Sequence, residues 1–290
     1  MTQADLHARA VLVNLNIRSW SARKFDRAIS KEIADAHGTD IDAGRYNKKL
    51  MPADAPSYKA LNKHLQDLRE DVHYANTLPW SDKGWRLLPV RNYARYTDAV
   101  RKGINDAEAL LDTFVADYPE LRAEVKRQRN GMVTDEDFPV DIRTRYNFKV
   151  DINPVPSGGD FRVELSREEI DVIEAGTQAR VQKAFEDAQN DAVKRLYSVV
   201  AKMHERLSQP DAIFRDTLLQ NVRDVCDVIT GLNLTDDPNL ETLRRQTELL
   251  AGATETQTLR DDAKIRIDTA TQAQSILDAM TSTYGKGLFA

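Results

Sequence analysis

Four short stretches before residue 97 interleave cations with aromatic rings. Arg18, Trp20, Arg23, Lys24 and Arg27 form the first, and Arg45, Tyr46, Lys48 and Lys49 the second. Trp80, Lys83, Trp85 and Arg86 make the third, and Arg91, Tyr93, Arg95 and Tyr96 the fourth. These side chains suit a single-stranded nucleic acid. Cations displace counterions from phosphates, while each base stacked on a ring gains about 1–3 kcal/mol without its sequence being read. Lys31 extends the first stretch, because Arg23, Arg27 and Lys31 repeat every four residues along an expected helix.

Each stretch also has a plainer reading. Trp20 either stacks a base or plugs the corner between a strand and a helix. Tyr93 and Tyr96, three residues apart, could share a helix face turned to a core. Trp80 and Trp85 would then divide, one packing a loop and one exposed. The arginines could be spent on Asp26, Glu32 or Asp82, in solvated ion pairs worth little.

Catalytic signatures are missing from the sequence. There is no phosphate loop, HExxH, GxSxG or GxGxxG. The five histidines (His7, His37, His64, His73 and His204) lack ligand-like spacing, and a single cysteine, Cys226, builds neither a zinc site nor a disulfide framework. The acidic runs DEDF (135–138) and LTDDP (234–238) stand where helices begin, so their carboxylates are expected to cap amides. The expectation is a non-enzyme with no cofactor and no metal. An enzyme or an accessory factor for a nucleotide-driven ATPase is a rival reading.

The chain has 290 residues and a net charge of −5, which hides an asymmetry. Residues 1–102 carry 18 Lys and Arg against 12 Asp and Glu, with all three tryptophans, while the remainder carries 23 against 34. A basic, ring-rich third facing a polyanion and an acidic remainder facing something else would produce that division. No apolar run is long enough to span a bilayer, and AVLVNLNI lacks the flanks of a signal peptide. A soluble protein of the cytoplasm is expected, without membrane contact.

Hydrophobic periodicity places these residues on elements. Ala10–Ile17 alternates as a strand, with Val11, Val13, Leu15 and Ile17 on one face. Ser21–His37 reads as a helix closed by Gly38, with Phe25, Ile29 and Ile33 toward the core. Ser57–Ala75 is a second helix on the stripe Tyr58, Leu61, Leu65, Leu68 and Val72. TLPWSDKGWRLLP forms an ordered loop or short hairpin, then a helix runs over Asn92–Asp117 and Pro119 opens another. YNFKVDINPV and FRVEL, joined by PSGGD, suggest a β-hairpin that the first strand joins.

Ser166 and Glu169 then form a capping box for a helix reaching about Ser208, roughly 60 Å at about 1.5 Å per residue, with Gly176 a possible break and a stripe of Ile173, Val181, Phe185, Ala188, Ala192, Leu196, Val200 and Met203. Three helices follow, near Ala212–Thr230, Asn239–Leu250 and Leu259–Thr283. AGATETQ is read as a linker and residues 284–290 as a mobile tail. The expected fold is α+β and predominantly α-helical, with a small antiparallel β-sheet of about three strands packed with long helices. One domain over 1–290 is expected, its basic third (1–102) followed by an acidic helical part (103–290). Three or so strands cannot close an oligonucleotide-binding barrel, and neither helix-turn-helix, zinc-finger nor basic-zipper patterns occur.

The runs NLNIRSWSARKFDRAISKEIADAHG, GRYNKKLMP, HYANTLPW, RLLP, DFRVEL, FRDTLLQNV and LNLTDDP resemble a phage protein family, the Drc-type single-stranded-DNA-binding RNA polymerase cofactors of short-tailed lytic phages. The resemblance spans most of Ala10–Leu250. It implies an unusual fold preferring single-stranded DNA, contact with a phage-encoded RNA polymerase at melted middle promoters, and residence in the host cytoplasm. The long helices after Ser166 would build a homo-oligomer or hold the polymerase. The main rival is a helical assembly or adaptor protein that touches no nucleic acid.

Overall fold

The computed structural model describes residues 8–80, 84–156, 166–209 and 215–289. It is α+β and predominantly helical, with a four-stranded antiparallel sheet and a separate two-stranded one. The strands are β1 (Ala10–Arg18), β2 (Arg23–Phe25), β3 (Asn47–Lys49), β4 (Leu78–Pro79), β5 (Arg86–Pro89) and β6 (Asn147–Pro154). The helices are α1 (Arg27–His37), α2 (Pro56–Asp67), α3 (Tyr93–Gln128), α4 (Arg167–Ser208), α5 (Thr217–Leu232), α6 (Pro238–Gly252), α7 (Thr256–Asp261) and α8 (Ala263–Tyr284).

The chain divides into two compact units, neither continuous in sequence. A helical unit takes Met1–Asn14, His73–Thr97 and Asp151–Ala290, and a ribbon unit takes Leu15–Val72 and Asp98–Val150. One boundary, Thr97/Asp98, falls close to the charge division near residue 102, yet the basic third is itself shared between the two units.

In the helical unit, α4 packs against α5 and α8, and α6 against α5 and α8. Val181, Phe185, Ala188, Ala192, Leu196, Val200 and Met203 supply the buried stripe of α4, as their periodicity predicts. Ser166 and Glu169 form the expected capping box, and Gly176 leaves the helix unbroken. β4 and β5 form the hairpin of TLPW and RLLP, pairing Leu78 with Leu87, and β1 continues the sheet by pairing Ala10 with Pro89 and Leu12 with Leu87. β6 lies on the other side of β1, giving the order β4-β5-β1-β6. This hairpin makes the sheet larger than the three strands expected. The expected strand FRVEL and most of its turn PSGGD lie outside the described residues.

The end of the chain is docked. Tyr284 donates its hydroxyl to Asp237 (2.7 Å), and Phe289 stacks on Tyr197 with centroids 4.1 Å apart. The tail expected to be mobile thus has an aromatic anchor. AGATETQ shrinks to residues 253–255, between α6 and α7.

In the ribbon unit, α2 and the middle of α3 enclose Leu61, Leu65, Leu111, Phe114 and Val125. Beyond Asp67 the α2 stripe continues through a π-helical turn, Leu68–Tyr74, within which Leu68 is buried. Two helix boundaries differ from expectation. α3 passes through Pro119 without ending, so Pro119 does not open a new helix. α1 begins only at Arg27, where the Asp26 carboxylate caps the Ile29 amide (3.1 Å). Its buried residues are Ser30 and Ala34, whereas Phe25 and Ile33 are 38% and 44% exposed. A polar contact turns the helix this way. The Ser30 hydroxyl donates to the Asp26 carbonyl (2.6 Å) and accepts from the Tyr46 amide (3.0 Å), so Ser30 faces inward.

Candidate nucleic-acid interface

Arg23, Lys24 and Phe25 are not helical, because the chain reverses just before them. Ala22 is buried with a left-handed φ of 52°, and its carbonyl accepts the Leu50 amide (2.8 Å). The Tyr46 carbonyl closes the other end by accepting the Asp26 amide (3.0 Å). Between these bonds β2 and β3 pair antiparallel, Arg23 opposite Lys49, Lys24 opposite Lys48, and Phe25 opposite Asn47. Side chains alternate along a strand, so the central pair points one way and the two outer pairs the other.

The central pair is neutralised. Asp137 accepts from Lys24 Nζ (3.0 Å) and Lys48 Nζ (3.3 Å), while Asp26 takes Lys48 Nζ at 2.9 Å. The hydrogen bond from Lys48 holds the Asp26 carboxyl below its usual range, helped by the Ile29 amide. Burial alone would raise Asp137, but the Thr134 amide, Lys24 and Lys48 outweigh it and hold the carboxyl low. Lys48 is raised in turn, chiefly by Asp26. This knot fixes the inner side of the ribbon and uses the charges of Lys24 and Lys48 within the fold. It also gives the DEDF run a task besides capping: Asp137 caps the Thr134 amide (3.0 Å), while Asp135 binds Arg122 and Lys126 (2.8 Å).

The outer cations are not neutralised. Among the described residues no acid pairs with Arg23, Arg45 or Lys49, and the Arg45 guanidinium lies over the Phe25 ring, 4.8 Å from its centroid. At one end of this face is a cleft of about 340 Å³ lined by Tyr46, Asn47, Lys48, Lys49, Arg129, Met132 and Val133. Among the described residues Arg129 likewise has no acid partner. Arg27 and Lys31 project from α1, exposed and one turn apart, but Arg23 does not continue their stripe because it lies in a strand.

The remaining candidates are mostly structural. Trp20 makes T-shaped contacts with Tyr58 (6.3 Å) and Tyr118 (5.9 Å), its carbonyl accepts the Tyr58 hydroxyl, and its half-buried ring packs against the ribbon-unit core. Arg18 donates to the Thr144 carbonyl. In the helical unit, Trp80 and Trp85 are half-buried against the core. Arg86 donates to Thr77 Oγ1 (2.7 Å) and its carbonyl (3.1 Å) and covers the Tyr74 ring, and burial first, then Arg195, lowers its pKa. Arg91 pairs with Asp236 (2.8 Å). Tyr96 is fully buried and bonded to His73 (2.7 Å), while Tyr93 and Arg95 are exposed. Lys83 lies outside the described residues. The first two clusters therefore belong to the ribbon unit and the last two to the helical unit, where cations and rings are largely used within the fold.

Two participants were not evident from sequence. Phe25 falls on a helical apolar stripe and so reads as core, although its exposed ring is the aromatic part of the outer face. Arg129 stands alone in RQRNG; the following Asn130 and Gly131, at φ of 41° and 86°, form the turn leading to Met132 and Val133 beside it in the cleft.

No family model, curated protein or solved structure matches this chain. Among the described residues no three His, Cys, Asp or Glu converge as a metal site, and no helix is long and apolar enough to cross a membrane.

Proposed function

We propose that this protein binds single-stranded DNA, tolerant of sequence, on the outer face of the β2–β3 ribbon. The observation that carries the reading is the opposition of Arg23 and Lys49 without an acid beside Phe25 and Arg45. Directly opposed like charges destabilise a strand pair, so an outside polyanion is the natural counterion. Phosphates would lie along Arg23, Lys49 and Arg45, with Arg27 and Lys31 as further contacts. A base would stack on Phe25 or on the guanidinium plane covering it. The wider role as a cofactor recruiting a phage RNA polymerase to melted promoters belongs to this proposal and rests on the sequence resemblance. Co-purification of that polymerase on single-stranded promoter DNA tests it.

Affinity for a labelled single strand tests the interface itself. Three phosphates neutralised, at a slope of about −0.7 each, give roughly a 40-fold loss between about 50 and 300 mM salt. A loss of two-fold or less removes the electrostatic basis. The rival reading, an assembly protein without nucleic acid, draws on exposed Val172, Leu249 and Ile267 of the helical unit. Charge reversal at Arg23, Arg45 and Lys49 separates the two, since it abolishes oligonucleotide retention under the first reading and changes nothing under the second.

A further inference from the structure

The helical unit holds a second pair of cations, built differently from the ribbon. Arg9, just before β1, and Arg91, just after β5, converge on one carboxylate. Arg9 Nη1 lies 2.6 Å from Asp236 Oδ2 and Arg91 Nη1 2.8 Å from Asp236 Oδ1. Arg9 Nη1 also donates to the Leu234 carbonyl (3.1 Å). Both arginines line a cavity of about 190 Å³ whose other walls are Ala8, Pro89, Val90, Gly231, Asn233 and Leu234.

The loop is made to present that carboxylate. The Asn233 side chain spans it, accepting from the Asp237 amide (2.9 Å) and donating to the Asp237 carbonyl (3.0 Å). Asp236 follows at a left-handed φ of 54°, a conformation that Asp adopts more readily than most non-glycine residues. Its neighbour in the LTDDP run, Asp237, caps α6, whereas Asp236 caps nothing. The ion pairs it makes are open to solvent, and such pairs contribute little. What the loop presents to Arg9 and Arg91 is therefore a carboxylate held only by solvent-open ion pairs, which a competing anion can replace.

We propose that this cavity is a binding site for a carboxylate carrying a short branched apolar group, and that Asp236 occupies the anion position until the ligand arrives. Each guanidinium has five N–H donors and Asp236 engages one nitrogen of each, so a ligand carboxylate that displaces Asp236 takes over those donors and can add the ones Asp236 leaves unused. Pro89, Val90 and Leu234 supply the apolar wall. The space equals about six water volumes at about 30 Å³ each, enough for a carboxylate with a three-carbon branch. That chemistry occurs in a free short-chain acid and in the C-terminal residue of a polypeptide.

The test titrates the full chain with isobutyrate, N-acetylvaline, N-acetylvalinamide and inorganic phosphate, read by ligand-observed NMR. Both acids bind and the amide does not. N-acetylvaline tighter by about tenfold marks a chain terminus as the source, and equal affinities mark a free acid. Arg9→Met and Arg91→Met each weaken binding about tenfold or more, the loss expected for a charge-assisted hydrogen bond. Asp236→Asn keeps the shape and the left-handed backbone but removes the competing charge, so binding tightens several-fold. Amide binding equal to the acid, phosphate tighter than isobutyrate, an Asp236→Asn variant that does not tighten, or no acid binding at about 10 mM overturns the proposal. Oligonucleotide affinity is measured in parallel. It is unaffected by Asp236→Asn, so this site and the ribbon fail or succeed separately.

Discussion

Arg23 and Lys49 stand directly opposite each other across β2 and β3, and no acid among the described residues reaches either. One strand position away, Lys24 and Lys48 face each other across Asp137, and Asp26 also holds Lys48. The same ribbon thus neutralises one cationic pair and leaves the other open. Lys49→Glu is therefore expected to act in opposite directions on fold and on binding. It should raise stability by about 0.2–1 kcal/mol, the scale of a corrected cross-strand pair, and lower oligonucleotide affinity about tenfold at low salt. Chemical unfolding and fluorescence anisotropy on one preparation check both signs, and a loss of stability would mean that an unnoticed acid already serves Lys49.

The aromatic residues make a second contrast. Phe25 is exposed under Arg45, whereas Trp20 is wedged edge-on between Tyr58 and Tyr118. Phe25→Ala should cost DNA affinity on the scale of one stacked base, about 1–3 kcal/mol, and leave the melting transition nearly unchanged. Trp20→Ala should cost about 3 kcal/mol of stability, while Trp20→Phe keeps DNA affinity. Melting curves and binding isotherms for the three variants decide which ring meets the base.

What could be read from sequence follows from how local each signal is. The α4 stripe from Val181 to Met203 and the Ser166–Glu169 box are set by residues within a few turns, and both appear as expected. Pro79 and Pro89 bracket the TLPW–RLLP segment as an ordered loop or short hairpin, and the Leu78–Leu87 pairing makes it the hairpin. Phe25 was misplaced because RKFDRAIS has helical spacing, and the deciding contact, Ser30 with the Tyr46 amide, is made with a segment outside the helix. Pro119 looked like a helix start because proline favours first turns, yet Tyr118 and Val125 bury on either side of it in one continuous helix. The site was half legible. Cations announce themselves by type, but whether Lys48 is free or bound to Asp137 depends on a pairing 89 residues apart.

Gly231 marks the tightest approach in the helical unit. A Cβ built there would stand 1.7 Å from Asn92 Oδ1, and Asn92 is itself buried with an Nδ2 that finds no partner. Gly231→Ala should destabilise by about 1–3 kcal/mol through overpacking. Asn92→Ala alone should cost little, because it removes an unsatisfied donor, and the double variant should recover most of the Gly231→Ala loss. Independent, additive losses in urea unfolding would show that the clash is relieved by backbone movement instead.

Acid should loosen the helical unit through α6. Arg244 is buried between Glu241, at 2.9 Å, and Glu248, at 2.8 Å, and its hydrogen bonds, reinforced by Arg245, pull the Glu241 carboxyl down to about 2 against an ordinary 4.5. Because the folded value lies below the unfolded one, the stabilisation is fully present above about pH 4.5 and disappears as pH falls toward about 2. Glu241→Gln cannot ionise, so it should be less stable than the parent at neutral pH and show a shallower decline below about pH 4.5. Other lowered carboxylates, Asp26, Asp137 and Asp236 among them, contribute to the slope of both proteins, so the difference between the two curves isolates Glu241. Urea unfolding at several pH values supplies those curves. Parallel curves would mean that Arg244 is held by Glu248 alone, and convergence toward low pH is the outcome the geometry requires.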